Sequence, residues 1–206
     1  MLNSVLLHWS KKSMNSKIAI IGSIVLAFMG SAVQLLAEPL FIFDQEASSL
    51  TFNVKAAVED VAGRFDKIEV DSIQYYGTPE SLKGRLIIFI NSLNTGKTKR
   101  DTHLKSADFF DAANYPNAYI DIISVTQEGG QYFARFLVEI RGIRNEYLAP
   151  IELKTNWLKI EATGSVIVKR TDFSITGNIL TNTIINDDVL IDYSLVLVRQ
   201  KPSVTQ

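Results

Sequence analysis

Apolar and polar side chains alternate one for one in segment after segment of this chain, and that period-two pattern decides what it can fold into. Leu50, Phe52 and Val54 interleave with Thr51, Asn53 and Lys55. From Leu158 to Lys169, Leu158, Ile160, Ala162, Gly164, Val166 and Val168 interleave with Lys159, Glu161, Thr163 and Ser165. Successive side chains on a strand point to opposite faces, so each such segment reads as a strand with one face buried and one face wet. Gly63 to Val70, Ala118 to Ile123, Gln131 to Arg141, Glu146 to Leu153 (broken by Pro150) and Val189 to Val198 are further strands. Lys83 to Asn91 is apolar on both faces at its centre, as expected for a strand covered on two sides or lining a cavity. Turns fall at Tyr76-Gly77-Thr78-Pro79, Gly129-Gly130 and Gly142 to Asn145. The total is about eight strands at short spacing, which predicts an all-β antiparallel barrel or sandwich. A closed eight-stranded barrel has an interior that side chains fill or that holds one elongated ligand.

Composition narrows the function classes. At 206 residues the chain has the length of one domain with appendages. Its net charge is −1, and the segment 1–37 carries Lys11, Lys12 and Lys17 with no acid. Taking those three positive charges away leaves −4 on the remainder. A mildly acidic domain lacks the clustered Lys and Arg that nucleic acid requires. The absence of cysteine excludes disulfides, thiolate metal sites and cysteine nucleophiles.

The N-terminus has the layout of a secretory signal. Lys11, Lys12 and Lys17 precede an uncharged run from Ile18 to Ala37, in which the apolar stretch Ile18–Met29 is followed by the small residues Gly30-Ser31-Ala32, with cleavage expected after Ala37. Met14 is an alternative start. An uncleaved membrane anchor is the other reading, because about 20 apolar residues span a bilayer. Either way the domain at 38–206 is expected outside the cytoplasm, periplasmic or secreted. Membrane contact is then expected only through the leader, if it is uncleaved, and a dimer is an open option.

One segment breaks the alternation. Arg100 to Pro116 reads R-D-T-H-L-K-S-A-D-F-F-D-A-A-N-Y-P and holds His103, the single histidine outside the extreme N-terminus. Leu104, Ala107 and Phe110 recur at helical spacing, with Asp101 or Thr102 as cap, which predicts a short helical insertion around 101–111. The chemistry available is limited. A Ser-His-Asp triad would have to be built on His103, without a nucleophile elbow. A three-histidine zinc site cannot be built. Asp187, Asp188 and Asp192 lack the spacing of a calcium loop and read as a solvated turn. His103 reads as a structural hydrogen-bonding group first and as a head-group contact second. Arg100, Asp101 and Asp108 read as a latch that fixes the insertion, and Phe109 and Phe110 as plugs that also wall a cavity.

These motifs together resemble the YceI-like family, secreted lipocalin-like domains associated with polyisoprenoid lipids. The similarity runs from about Phe41 to Arg199. It includes Phe43-Asp44 with Ser48-x-Leu50-x-Phe52-x-Val54-Lys55, then Gly63-Arg64-Phe65, and Asn94-Thr95 followed by Arg100 to Asp111. Tyr115-Pro116, Gly142 and Arg170-Thr171-Asp172-Phe173-x-Ile175 complete it in order. The chain departs from the family pattern at Ala47 and Ala56, where the family often has histidine, and at Gly142-Ile143-Arg144. The resemblance implies an extended eight-stranded antiparallel barrel whose channel takes a long apolar chain, such as an isoprenoid or isoprenoid quinone.

The resulting expectation is a non-enzymatic binding barrel with no metal and no cofactor other than such a lipid. Its channel is expected to be lined by Phe52, Val54, Phe65, Leu86, Ile88, Ile120, Phe136, Val138, Ile160, Ile191 and Leu195. Phe109 and Phe110 would close one end, with His103 near the head group. The rival expectation is an extracytoplasmic interaction module with a filled core and no ligand. An enzyme acting on a lipid, with His103 as base, is a third.

Overall fold

A computed structural model describes residues 41–177 and 184–200. The leader at 1–37 and the tail at 201–206 lie outside the described residues. The strands are β1 (Phe41–Ala56), β2 (Val61–Phe65), β3 (Ile68–Gln74), β4 (Lys83–Phe89), β5 (Leu93–Asn94), β6 (Asn117–Glu128), β7 (Gln131–Ile140), β8 (Ile143–Thr155), β9 (Lys159–Lys169) and β10 (Ile185–Arg199). One helix, α1 (Thr98–Lys105), lies between β5 and β6. All ten strands belong to one sheet in the order β3-β4-β6-β7-β8-β9-β10-β1-β2-β5, and neighbours are antiparallel.

The expected eight strands become ten for two physical reasons. The segment read as one strand, Gly63 to Val70, kinks at Asp66-Lys67 and changes partner there. β2 pairs with β1, whereas β3 pairs with β4. The chain itself therefore links the two ends of the curled sheet. The second extra strand is β5, two residues that pair with the end of β2. The kink is pinned from several directions. Asp66 N–H donates to Ser92 O at 3.1 Å, and Arg64 and Asn94 both donate to the Asp66 carboxylate.

The alternation that reads as strand also selects the inner face. Leu50 and Val54 of β1, Leu86 and Ile88 of β4, Phe136 and Val138 of β7, and Val168 of β9 are all buried. Their neighbours in sequence face outward, where Arg85 of β4 forms a two-point ion pair with Asp121 of β6 at 2.6 and 2.9 Å. Lys67 Nζ sits 3.9 Å from the centre of the Phe89 ring, which accounts for an apolar residue on the outer face of β4. Burial of the inner face contributes about 1.5–3 kcal/mol per large side chain and is the main source of stability.

Glycine permits one close approach that shapes the interior. A Cβ at Gly63 would overlap the Phe52 ring and lie 2.9 Å from the Thr95 methyl. Phe52 therefore folds across β2 and meets Phe65 at 5.8 Å between ring centres.

Helix α1 starts earlier and stops sooner than its spacing predicts. Asp101 sits in its first turn rather than at its cap, and the cap position, Lys97, makes no side-chain capping bond, its ammonium pairing with Glu59 instead. The helix ends because Ser106 turns back, with both N–H and Oγ–H donating to His103 O. Turns then carry the chain through Asp111, whose φ is 50°. Ala107 is consequently exposed, while Phe109 and Phe110, adjacent in sequence, both reach the interior.

Candidate functional site

The curled sheet encloses an apolar channel made of two chambers in succession. The outer chamber has about 130 Å³ of void and the inner about 40 Å³. One water needs roughly 10–15 Å³ of such space, so the outer chamber has room for a segment of chain rather than for a single solvent molecule. Leu50, Ile120, Val138, Val168 and Ile191 line both chambers and mark the waist between them.

Each expected wall residue has a definite place. Phe52 and Val54 of β1, Phe65 of β2 and Ile88 of β4 line the outer chamber. Leu86, Phe136 and Leu195 line the inner one. Ile120, Val138 and Ile191 stand at the waist. Phe109 and Phe110 line the outer chamber beside Leu104 of α1. Phe110 meets Phe65 edge-on at 6.2 Å, which extends the Phe52–Phe65 contact into a row of rings along the wall.

Two expectations are corrected. Ile160 is fully buried but lines neither chamber. It packs with Phe41 and Leu197 in a separate small cluster, which Phe43, Ile73 and Tyr75 flank. The alternation places it on the inner face but says nothing of its depth along the strand. His103 lines neither chamber either. Its side chain is 52 % exposed, its Nε2 lies 3.7 Å from Asp108 Oδ2, and its ring stands edge-on to Phe109 at 4.9 Å. The helix ends so soon after His103 that its imidazole stays on the outer side of the insertion.

Arg100 and Asp101 converge on Thr95. Thr95 N–H and Oγ–H donate to Asp101 Oδ1 at 2.9 and 2.5 Å. Arg100 Nε donates to Thr95 Oγ1 at 2.9 Å, and a second guanidinium nitrogen donates to Thr95 O at 3.0 Å. The pair thus ties α1 to the strand end just before it. Asp108 contributes only the long contact to His103.

Arg170, a wall residue that the sequence reading did not select, is the buried charged residue among the described residues, at 8 % exposure. It opens a 3-10 turn (Arg170–Phe173) after β9 and lines the outer chamber with Phe173 and Ile175. Its guanidinium donates to the carbonyls of Asn186 (3.0 Å), Ile175 (2.9 Å), Thr176 (3.3 Å) and Ile185 (3.2 Å). The same turn is held from outside by Asn145 and Tyr147 of β8 through Asp172, and by Asp187 on Thr171 N–H and Oγ–H. Burial, and then the bond to Asp172, push the Tyr147 phenol well above its ordinary pKa, so it remains a donor. The signal that could have found Arg170 is an arginine directly after an alternating strand and three residues before a phenylalanine.

The walls carry no carboxylate and no histidine; Arg170 and Tyr193 are the side chains with polar atoms among them. No group of three or more His, Cys, Asp or Glu is placed to hold a metal among the described residues. Asp187 and Asp192 are instead engaged by Thr171 and Ser165. No helix among the described residues is long and apolar enough to cross a membrane.

Comparison with known proteins agrees with this architecture. BcnA of Burkholderia cenocepacia superposes with a TM-score of 0.69 at 22% identity, over 75% of this chain and 98% of that one. A polyisoprenoid binding domain from Saccharophagus degradans superposes with a TM-score of 0.64 at 19% identity, over 79% of this chain and all of that one (100%). The UPF0312 protein SA2479 of Staphylococcus aureus (strain N315) is 31% identical over 160 residues, 76% of this chain and 85% of the relative. The family model for the YceI-like domain matches residues 41–197, a span that runs from the first described strand to the penultimate pairs of the last. With sheet order, insertion and late turn all falling inside that span, the chain belongs to the YceI-like domain family.

Proposed function

We propose that this protein is a non-catalytic, extracytoplasmic carrier that holds a long-chain apolar lipid of isoprenoid or isoprenoid-quinone type in its channel. The observation that carries this reading is the channel itself: two successive chambers walled by hydrocarbon and bounded at the outer end by α1 and the 170–173 turn. Transferring a methylene from water into such a wall contributes about 0.8 kcal/mol, so a chain of several isoprene units is held without polar contacts. The printed description of the Saccharophagus degradans neighbour, a polyisoprenoid binding domain, supports the same ligand class. The leader, with its basic start and uncharged run, supports a place outside the cytoplasm.

The rival, a filled core without a ligand, is disfavoured by the two void chambers in line. Native mass spectrometry of gently purified protein tests the proposal. The expected result is a bound species with the mass of an isoprenoid lipid, or uptake of one when offered. Protein that arrives empty and takes up neither isoprenoid nor quinone would overturn it.

A further inference from the structure

The end of the barrel opposite α1 and the 170–173 turn is aromatic and faces solvent. Strand β8 spans the two ends: Asn145 near its start meets Asp172, and Thr155 at its finish lines a shallow groove at the far end. The turns from β3 to β4 and from β8 to β9 meet the outer ends of β1 and β10 around that groove. Phe41 and Tyr75, packed edge-on at 6.3 Å, form its floor. Tyr76 and Trp157 stand beside them, 79 % and 71 % exposed. Leu158 and Ile42, next to Trp157 and Phe41 in the chain, are exposed as well.

Surface turns ordinarily carry polar or small side chains. These two turn their polar bonds inward on themselves. Asn156 Oδ1 accepts from the N–H groups of Leu158 and Lys159 at 2.8 and 2.9 Å. Ser81 Oγ accepts from Tyr76 N–H at 2.8 Å and donates to Thr78 O at 2.6 Å. Backbone groups bonded in this way lose less on leaving water. No carboxylate of the described residues lines the groove, and its cation is Arg199, whose Nη1 donates to Trp157 O at 3.4 Å. Rings with an apolar body and a polar tip, beside an arginine, suit the head-group layer of a bilayer, where Trp and Tyr concentrate and basic side chains meet phosphate. Chain connectivity points the same way. The uncharged run Ile18–Ala37 ends four residues before Phe41 of the groove floor. Four residues reach at most about 14 Å, so a bilayer that takes up the run lies within reach of the groove.

We infer that this end is a docking face for a phospholipid bilayer, with Tyr76, Trp157 and Leu158 in the head-group layer and Arg199 on the phosphates. Docked in this way, the protein holds α1 and the outer chamber away from the bilayer.

The test uses the full chain with Trp9→Phe, which leaves Trp157 as the single tryptophan, and vesicles of phosphatidylglycerol and phosphatidylethanolamine. Flotation reports association, and quenching by lipids brominated near the head group or near the chain end reports the depth of the indole. The protein is expected to float with the vesicles, Trp157 emission to move to shorter wavelength, and bromine near the head group to quench it more strongly. Adding Tyr76→Ser and Leu158→Ser should leave the circular dichroism spectrum unchanged and abolish most of that quenching. Protein that floats with Trp157 unshifted and unquenched would overturn the proposal, because the leader alone then holds the chain and the groove stays in water. Quenching equal in the Tyr76→Ser, Leu158→Ser protein would also overturn it, since tethering through the leader then accounts for the signal. Failure to float would overturn it outright.

Discussion

Two short arginine-led segments, Arg100-Asp101-Thr102-His103 and Arg170-Thr171-Asp172-Phe173, look alike in sequence and have opposite roles. The first carries the histidine and attracts notice as a candidate site, yet it stays at the surface and ties α1 to Thr95. The second has no such residue, yet its arginine is buried in the channel wall and gathers carbonyls from two separate stretches of chain. Reactive residue type is therefore a weaker guide to this site than burial. The residue that shapes the cavity is the one whose charge has been taken out of water and satisfied by backbone.

The contrast gives its largest expected effect at Arg170. Arg170→Leu should cost about 3–5 kcal/mol, because it leaves carbonyls of the late turn and β10 without their donor. Urea unfolding should show this as a lowered midpoint, and the outer chamber should lose affinity for lipid as its wall loosens. Next comes Gly63→Ala, expected to cost about 1–3 kcal/mol by displacing the Phe52 ring from the wall. A crystal structure of the variant would show the ring moved. Asp101→Ala should cost about 1–2 kcal/mol by freeing Thr95 and α1, with lipid affinity changed less than by Arg170→Leu. His103→Ala should change stability by less than about 0.5 kcal/mol and leave lipid uptake unchanged. A large loss of lipid affinity in that variant would reverse the contrast.

The smallest effect concerns the kink between β2 and β3. Asn94 first, and then Arg64, hold the Asp66 carboxyl below its ordinary pKa. A depressed carboxyl adds stability that is present above the unfolded-state pKa and is lost as pH falls through the folded value. The side chain is 45 % exposed, so the contribution is at most about 0.5 kcal/mol. Asn94→Ala should blunt that acid dependence in thermal melts taken across the acidic range.

Strands and channel walls were legible because period-two alternation records which face is buried, and Phe52, Val138 and Ile191 follow it directly. Depth along the channel was not legible, since alternation gives Ile160 and Val168 the same face although only Val168 reaches a chamber. The split of one expected strand at Asp66-Lys67 was hidden because it is a change of partner, made by the turn's own hydrogen bonds. Arg170 stands in a late motif that gives it no visible role, since its partners are backbone carbonyls that leave no mark in side-chain sequence. Tyr193 was different. It lies in phase between Ile191 and Leu195, and the pattern alone places it on the inner face.

The central claim is that lipid occupies the interior rather than an outer surface, and photocrosslinking tests it most directly. An isoprenoid probe with a diazirine along its chain, bound and irradiated, is expected to label peptides that contain waist residues such as Leu50, Val138 and Ile191. Labelling confined to outward-facing residues of the same strands, or no labelling above that of unfolded protein, would contradict it.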